Sequence, residues 1–302
     1  MDRYRAVAAE PLSLGAARRE LVAAGLFALL WPALGTAQPS PAPAPTTSSG
    51  ARPVLRVGLV PYLSARALLN VYEPIRRHLE TALGRPVEFY TAASFAALMT
   101  NARDPEQPFT LMPAHLVRLA LEDWGHNLVV RPIRESGVSI WGPPALAAAG
   151  PAALRGRRIA TMDPLSLTSM MFQRWRHAEQ FDTVVAALSY PTTNAGLMAL
   201  TRGDADAIVA AEGQLRDAPG AEALDLQSVV RLGAVITPSF VAHPDVPAAQ
   251  VQAFRQAMLS YRGGTAAGSS GAQFVIGSPR DFQPYESLAQ ESRRQLGLPP
   301  RR

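Results

Sequence analysis

From residue 54 onward the sequence alternates short aliphatic runs with segments of helical period, and it completes that alternation twice. Residues 54–60 are rich in valine and leucine and end at Pro61. Apolar residues at Leu68, Leu69, Tyr72, Ile75, Leu79 and Leu83 then recur at helical spacing until Gly84 stops them. Residues 86–90 predict a strand, 94–101 a helix, 109–112 a strand, and 115–124 a helix that closes at Gly125. Two further strands are expected at 128–134 and 138–141, joined through Glu135, Ser136 and Gly137. After a stretch of proline, alanine and glycine the alternation restarts: strands at 158–162, 184–189 and 205–210 are separated by helices at 167–179 and 193–202. Extended segments at 229–236 and 240–242 and a helix at 247–261 complete the pattern. Two groups of βα units predict an α/β protein of two lobes, each a mostly parallel sheet flanked by helices. The expected boundaries are 54–137 for the first part of lobe 1, 138–236 for lobe 2, and 237–302 for the return segment of lobe 1 and a C-terminal tail. Crossings between lobes are expected near 136–141 and 232–240.

At 302 residues and 48% hydrophobic, the chain buries a larger core than one small domain needs. Its 29 basic residues are all arginine, since lysine is absent, and against 24 acidic residues they leave a net charge of +5. That charge is spread without a long basic run, so no nucleic-acid partner is expected. Zero cysteines exclude disulfides, thiolate zinc sites, a cysteine nucleophile and a lipid-anchored cysteine. The histidines at 78, 115, 126, 177 and 243 have no close ligand spacing, so no metal site is expected; His78, His126 and His177 read as solvated or capping groups. There is no Gly-x-Ser-x-Gly, no P-loop and no Gly-x-Gly-x-x-Gly, which points away from an enzyme and from a nucleotide cofactor.

Residues 1–37 have the layout of a secretory signal peptide. Arg18 and Arg19 precede an apolar stretch over 21–34, broken by Gly25 and Pro32, and Gly35, Thr36 and Ala37 form a small-residue end. Cleavage near Ala37 and export to the periplasm are expected, by the twin-arginine (Tat) or the Sec route. The alternative, an uncleaved membrane anchor, fits less well because the apolar stretch is shorter than the roughly 20 residues a spanning helix needs. Residues 38–53 are mostly Pro, Ala, Thr, Ser and Gly and predict a disordered linker.

In open α/β sheets, ligands gather where the carboxyl ends of strands lead into helix N-termini with unpaired N–H groups. Three such turns carry polar side chains: 60–64 with Tyr62 and Ser64, 163–169 with Asp163, Ser166, Thr168 and Ser169, and 190–194 with Thr192, Thr193 and Asn194. Any one of them also reads as an ordinary helix cap. Their recurrence at equivalent points of repeated βα units favours a shared role in holding an anion's oxygens.

Residues 55–98, LRVGLVPYLSARALLNVYEPIRRHLETALGRPVEFYTAASFAAL, resemble the first βαβα of the periplasmic solute-binding proteins of phosphate, phosphite and phosphonate ABC transporters, of the phosphonate-binding type. LRGRRIATMDPLSLTSMMFQRW, over 154–175, is similar to that family's second-lobe opening, where a Ser-Thr-Ser turn starts a helix. LTRGDADAIVA over 200–210 and TPSFVAHPDVPAAQVQAFRQAMLSY over 237–261 resemble later segments in the same order, so the resemblance covers most of 54–285. It implies a two-lobed type II periplasmic-binding-protein fold, a clamshell that captures a small anionic ligand such as phosphate or phosphonate. Delivery to an ABC permease in the inner membrane, action as a monomer, and the absence of enzyme activity and of a cofactor follow from the same resemblance.

Residue by residue, it implies that Tyr62 contacts ligand from lobe 1 and that Thr168 and Ser169 end the Ser-Thr-Ser turn. Leu167 stands at that turn's first serine, with Ser166 beside it. Thr192, Thr193 and Asn194 occupy the place of a frequent ligand-facing histidine, and His115 that of a second lobe-1 contact, often tyrosine. A ligand touching both lobes favours the closed form, because only there are all contacts made. The alternative role for the same clamshell is as the ligand-sensing partner of a sensor kinase.

The remaining candidates read as structural. Asp204 and Asp206 suit a turn and a strand edge, Trp141 and Trp175 suit packing, Arg174 and Arg176 a solvated helix face, and Glu212 an exposed loop. Beyond Tyr261, Gly263, Gly264 and the 268–271 stretch predict a loop before Phe274.

Overall fold

Two mixed sheets organise the residues that the computed structural model describes, 53–263 and 273–300. The expected signal over 1–37, the expected linker apart from Pro53, and the glycine-rich 264–272 lie outside them. In the first sheet β1 (Leu55–Leu59) lies between β2 (Val87–Thr91) and β3 (Phe109–Met112) and is parallel to both. Each strand leads into a helix: α1 (Ala65–Leu83), α2 (Phe95–Asn101) and α3 (Ala114–Asp123). After β4 (Asn127–Pro132) the chain leaves this sheet, at 133–134, slightly before the expected crossing.

The second sheet is built from β5 (Glu135–Gly142), α4 (Pro144–Ala149), β6 (Arg158–Thr161), α5 (Leu167–Ala178), β7 (Ala186–Ser189), α6 (Thr193–Arg202), β8 (Ala207–Ala211), α7 (Glu212–Asp217) and β9 (Gln227–Ile236). Its strand order is β7-β6-β8-β5-β9. The chain then returns through β10 (Ser239–Ala242), α8 (Ala248–Ser260), β11 (Phe274–Val275) and α9 (Glu286–Gln295), giving the first sheet the order β11-β4-β10-β3-β1-β2.

The βαβ cores are parallel and most strands of each sheet run in one direction, as expected, with antiparallel strands added where the chain passes between lobes and at the edge strand β11. β10 runs antiparallel to β3 and β4, and β5 runs antiparallel to β8 and β9. β5 and β10, which bring the chain in from the other lobe, start beside the carboxyl ends of β8 and β3, Val138 opposite Ala211 and Ser239 opposite Met112, and so run back antiparallel to them.

Local chemistry explains where the expectations hold and where they shift. Gly84 ends α1 in the left-handed conformation, φ 59°, which its missing Cβ makes cheap. Pro74 sits inside α1 but on its exposed face, where the carbonyl it leaves unbonded, four residues back, belongs to the exposed Asn70. Glu135, Ser136 and Gly137 were expected to turn, but they extend as the first part of β5, paired with Ile236, Val235 and Ala234. Glycine suits that strand because a Cβ at 137 would stand 2.5 Å from Glu212 Oε1. In the core of the first lobe, Phe109, Phe240 and Phe254 are fully buried, and the rings of Phe109 and Phe254 stack at 4.2 Å.

α9, in a segment that carried no expected element, packs against both lobes. On lobe 1, Arg118 of α3 donates to Glu286 at 2.6 Å, and Arg293 donates to Asp123 through Nε at 2.8 Å. On lobe 2, Arg174 of α5 reaches Ser287 Oγ at 2.9 Å and Glu291 at 3.3 Å.

Candidate ligand-binding site

The carboxyl ends of β1, β3 and β6 all lead into helix starts, and these starts meet on one seam between the lobes. The Thr193 N–H, at the start of α6, donates to the Tyr62 carbonyl at 2.9 Å. Ser64, the N-cap of α1, donates its own N–H to Asn194 Oδ1 at 3.3 Å. The Tyr62 hydroxyl donates to Asp217 Oδ2, at the end of α7, at 2.7 Å. The Phe95 N–H, opening α2, donates to Asp163 Oδ2 at 3.3 Å, and His115 Nε2 lies 2.9 Å from the Leu165 carbonyl. These five bonds join the lobes through amide, hydroxyl, carboxamide, imidazole and carboxylate groups.

Around them the start of α5 forms a buried knot of hydroxyls. Ser166 Oγ caps the helix by accepting from the Ser169 N–H at 3.2 Å and donates to Ser169 Oγ at 2.8 Å; Ser169 Oγ in turn donates to the Met162 carbonyl at 3.0 Å. Thr168 Oγ1 stands 3.5 Å from Ser166 Oγ, and Thr193 Oγ1 donates to Met162 Sδ at 3.2 Å. Ser166, Thr168, Ser169 and Thr193 are all buried. The fold therefore brings Tyr62, His115, Ser166, Thr168, Ser169, Thr193 and Asn194 together. Thr192 stands at the edge of the group, where its hydroxyl caps α6 by accepting from the Ala195 N–H at 3.2 Å.

The seam combines the dipoles of the helix starts with the carboxylates of Asp163 and Asp217. Each helix start presents partial positive charge and unpaired N–H groups. The His115 imidazole is fully buried, and desolvation pushes its pKa down to about 4 against a small opposing effect of the Leu165 carbonyl, so the ring is neutral.

Two carboxylates escaped the sequence reading as site residues. Asp163 lay in a turn noted for its hydroxyls, and Asp217 lay in a segment without a strong period. Their partners, Phe95 and Tyr62, are 68 and 155 residues away. For Asp217 nothing local signals the pairing; Asp163 stands three residues before the α5 cap, where an acidic side chain at a strand end was a visible hint.

The other candidates resolve into structure. Asp206 pairs with Arg158, its carboxylate 2.7 Å from the Arg158 N–H and 3.1 Å from Nη2. Trp141 Nε1 donates to the Ala210 carbonyl, and Trp175 stacks between Phe172 and Phe181. Arg174 pairs with α9 instead of facing only solvent. Glu212 opens α7 instead of lying in a loop. His126 is buried, not solvated, and bonds the Ala102 carbonyl. A cavity of about 440 Å³, lined by Leu146, Leu200, Leu224, Leu226 and Arg157 among others, opens near the amino-terminal ends of β6 and β8. That is the end of the second sheet opposite the seam, and opposite the place where open α/β sheets hold ligands.

Two α/β lobes, crossed twice by the chain and meeting where helix starts face one another, define a two-lobed solute-binding protein of the periplasmic type. The family model described as "ABC transporter, phosphonate, periplasmic substrate-binding protein" matches residues 57–277, and the chain belongs to that family. The family binds solute for transport and is not enzymatic. No curated protein matches by sequence.

Among solved structures, a binding protein component of an ABC phosphonate transporter from Pseudomonas aeruginosa superposes with a TM-score of 0.67 at 12% identity, over 80% of this chain and 87% of that one. PhnD1 from Prochlorococcus marinus, in complex with methylphosphonate, superposes with a TM-score of 0.63 at 13% identity, over 81% of this chain and 98% of that one. At such identities the likeness is one of fold.

Proposed function

We propose that this protein captures a small oxyanion of the phosphate or phosphonate class in the seam between its lobes and hands it to an ABC permease in the inner membrane. The observation that carries the reading is the convergence, on one seam, of helix starts and hydroxyls from both lobes. Their donors already hold charged oxygens: the Tyr62 hydroxyl and the Phe95 N–H each take a carboxylate of the other lobe. A ligand's oxygens exchange with such contacts instead of requiring a new kind of site. The 1–37 segment exports the chain, which acts as a monomer.

Magnitudes fit a scavenger. Hydrogen bonds to a charged group are worth about 1.5–3 kcal/mol each, so four or five of them supply on the order of 8 kcal/mol, which corresponds to about micromolar Kd where packing and desolvation offset the cost of association. Because the donors belong to both lobes, ligand binding favours closure, and the closed surface is what the permease reads.

Thermal-shift and calorimetric titration with methylphosphonate, phosphite, phosphate and an organic cation tests the reading. Stabilisation by at least one of the oxyanions is expected, about 2.7 kcal/mol at a hundredfold excess over Kd. A response to the cation alone contradicts it.

A further inference from the structure

The donors along the seam suit any oxyanion; His115 does not fit that description. Its Nε2 meets the Leu165 carbonyl, which can only accept, so Nε2 carries the proton. The ring is fully buried and holds no second proton at neutral pH. Nδ1 is thus a bare lone pair, and it is buried without a hydrogen-bond partner. Buried acceptors are rarely left so. His126 also has an unpartnered Nδ1, but its neighbours Ala102, Trp124 and His243 all belong to the first lobe. His115 instead bridges the lobes, its Nε2 bonded to the residue just before the Ser166 cap of α5 and its Nδ1 one ring carbon further on.

We propose that His115 Nδ1 reads a proton on the ligand, so that the site selects a tetrahedral oxyanion still bearing a hydroxyl, such as a hydrogen phosphonate, over an aprotic sulfonate of the same shape and charge. The inference rests on the oxyanion reading above and adds a specificity-determining acceptor to it. A P–OH group donates to Nδ1 while its remaining oxygens accept from the helix starts. A sulfonate brings three acceptors and places one of them against a lone pair.

Calorimetric titration of the purified protein with methylphosphonate and with methanesulfonate, at one mildly acidic pH where both are mainly monoanions, is the test. The wild type is expected to prefer methylphosphonate at least tenfold. His115→Phe keeps a ring at this place but has no lone pair in it; it is expected to bind with the preference reduced to about threefold or less. His126→Gln keeps the full preference. Equal binding of the two anions by the wild type, or an undiminished ratio in folded His115→Phe, overturns the proton-reading role alone. If the wild type binds neither anion nor phosphate, the oxyanion reading falls and this inference with it. Should His115→Phe fail to fold, the wild-type ratio still decides.

Discussion

Among the described residues, the lobes bond to one another along the seam and through α9, and the chemistry of these two contacts differs. Along the seam the contacts are single hydrogen bonds between helix starts and short polar side chains, as in Thr193 to Tyr62 and His115 to Leu165. Across α9 the contacts are arginine–carboxylate pairs, and those are graded. The lobe-1 pair of Arg293 and Asp123 is buried, with 8% and 14% of the side chains exposed, whereas the lobe-2 pair of Arg174 and Glu291 stands 44% and 27% exposed. α9 is thus fastened to lobe 1 and rests on lobe 2. The seam is built of single hydrogen bonds between the lobes, while the strap's more deeply buried ion pair lies on lobe 1 and its more exposed one on lobe 2.

Removing the fastened end breaks that comparison with the largest effect. Arg293→Ala leaves Asp123 buried without its partner, and urea unfolding is expected to show a loss of about 3–5 kcal/mol, with ligand affinity unchanged where the variant is folded. The seam answers to pH instead. Burial holds His115 at about 4, below its ordinary 6.5, so above pH 6.5 the ring is neutral in the folded and unfolded chain alike. Below 6.5 the unfolded chain takes up a proton that the folded one refuses. Stability is therefore expected to fall between pH 6.5 and about 4, by about 3 kcal/mol, and urea midpoints of His115→Gln should show a shallower slope.

A third variant sharpens the binding side. Thr168→Ala with Ser169→Ala removes two hydroxyls of the α5 start, and calorimetry should find oxyanion affinity weakened about tenfold or more, roughly 1.4 kcal/mol. The smallest effect belongs to the resting end of the strap. Arg174→Ala breaks an exposed pair and is expected to cost no more than about 1 kcal/mol in the same unfolding assay, with oxyanion affinity unchanged. A large loss there would show α9 fastened to both lobes.

The seam was largely legible in the sequence, and the strap was not. Ser166 and Thr192 announce themselves because a hydroxyl just before a helical period is a local cap signal. The Val-Pro-Tyr turn at 60–62 and the Ser-Leu-Thr-Ser turn at 166–169 follow strands that any periodicity reading finds. α9 is charged over much of its length, and the burial of Arg293 depends on Asp123, 170 residues away. No window of sequence holds that information. The extension of Glu135, Ser136 and Gly137 into β5 is hidden for the same reason, since it depends on β9 a hundred residues later and on Glu212 filling the space beside Gly137.

The most direct measurement is a crystal structure of the protein grown with methylphosphonate. The account predicts the anion at the seam, within hydrogen-bond distance of the α5 start at Ser166 to Ser169 and of Tyr62 or His115 from the other lobe. An anion held elsewhere, at the cavity beside Arg157 or on lobe 2 alone with lobe 1 out of reach, contradicts it.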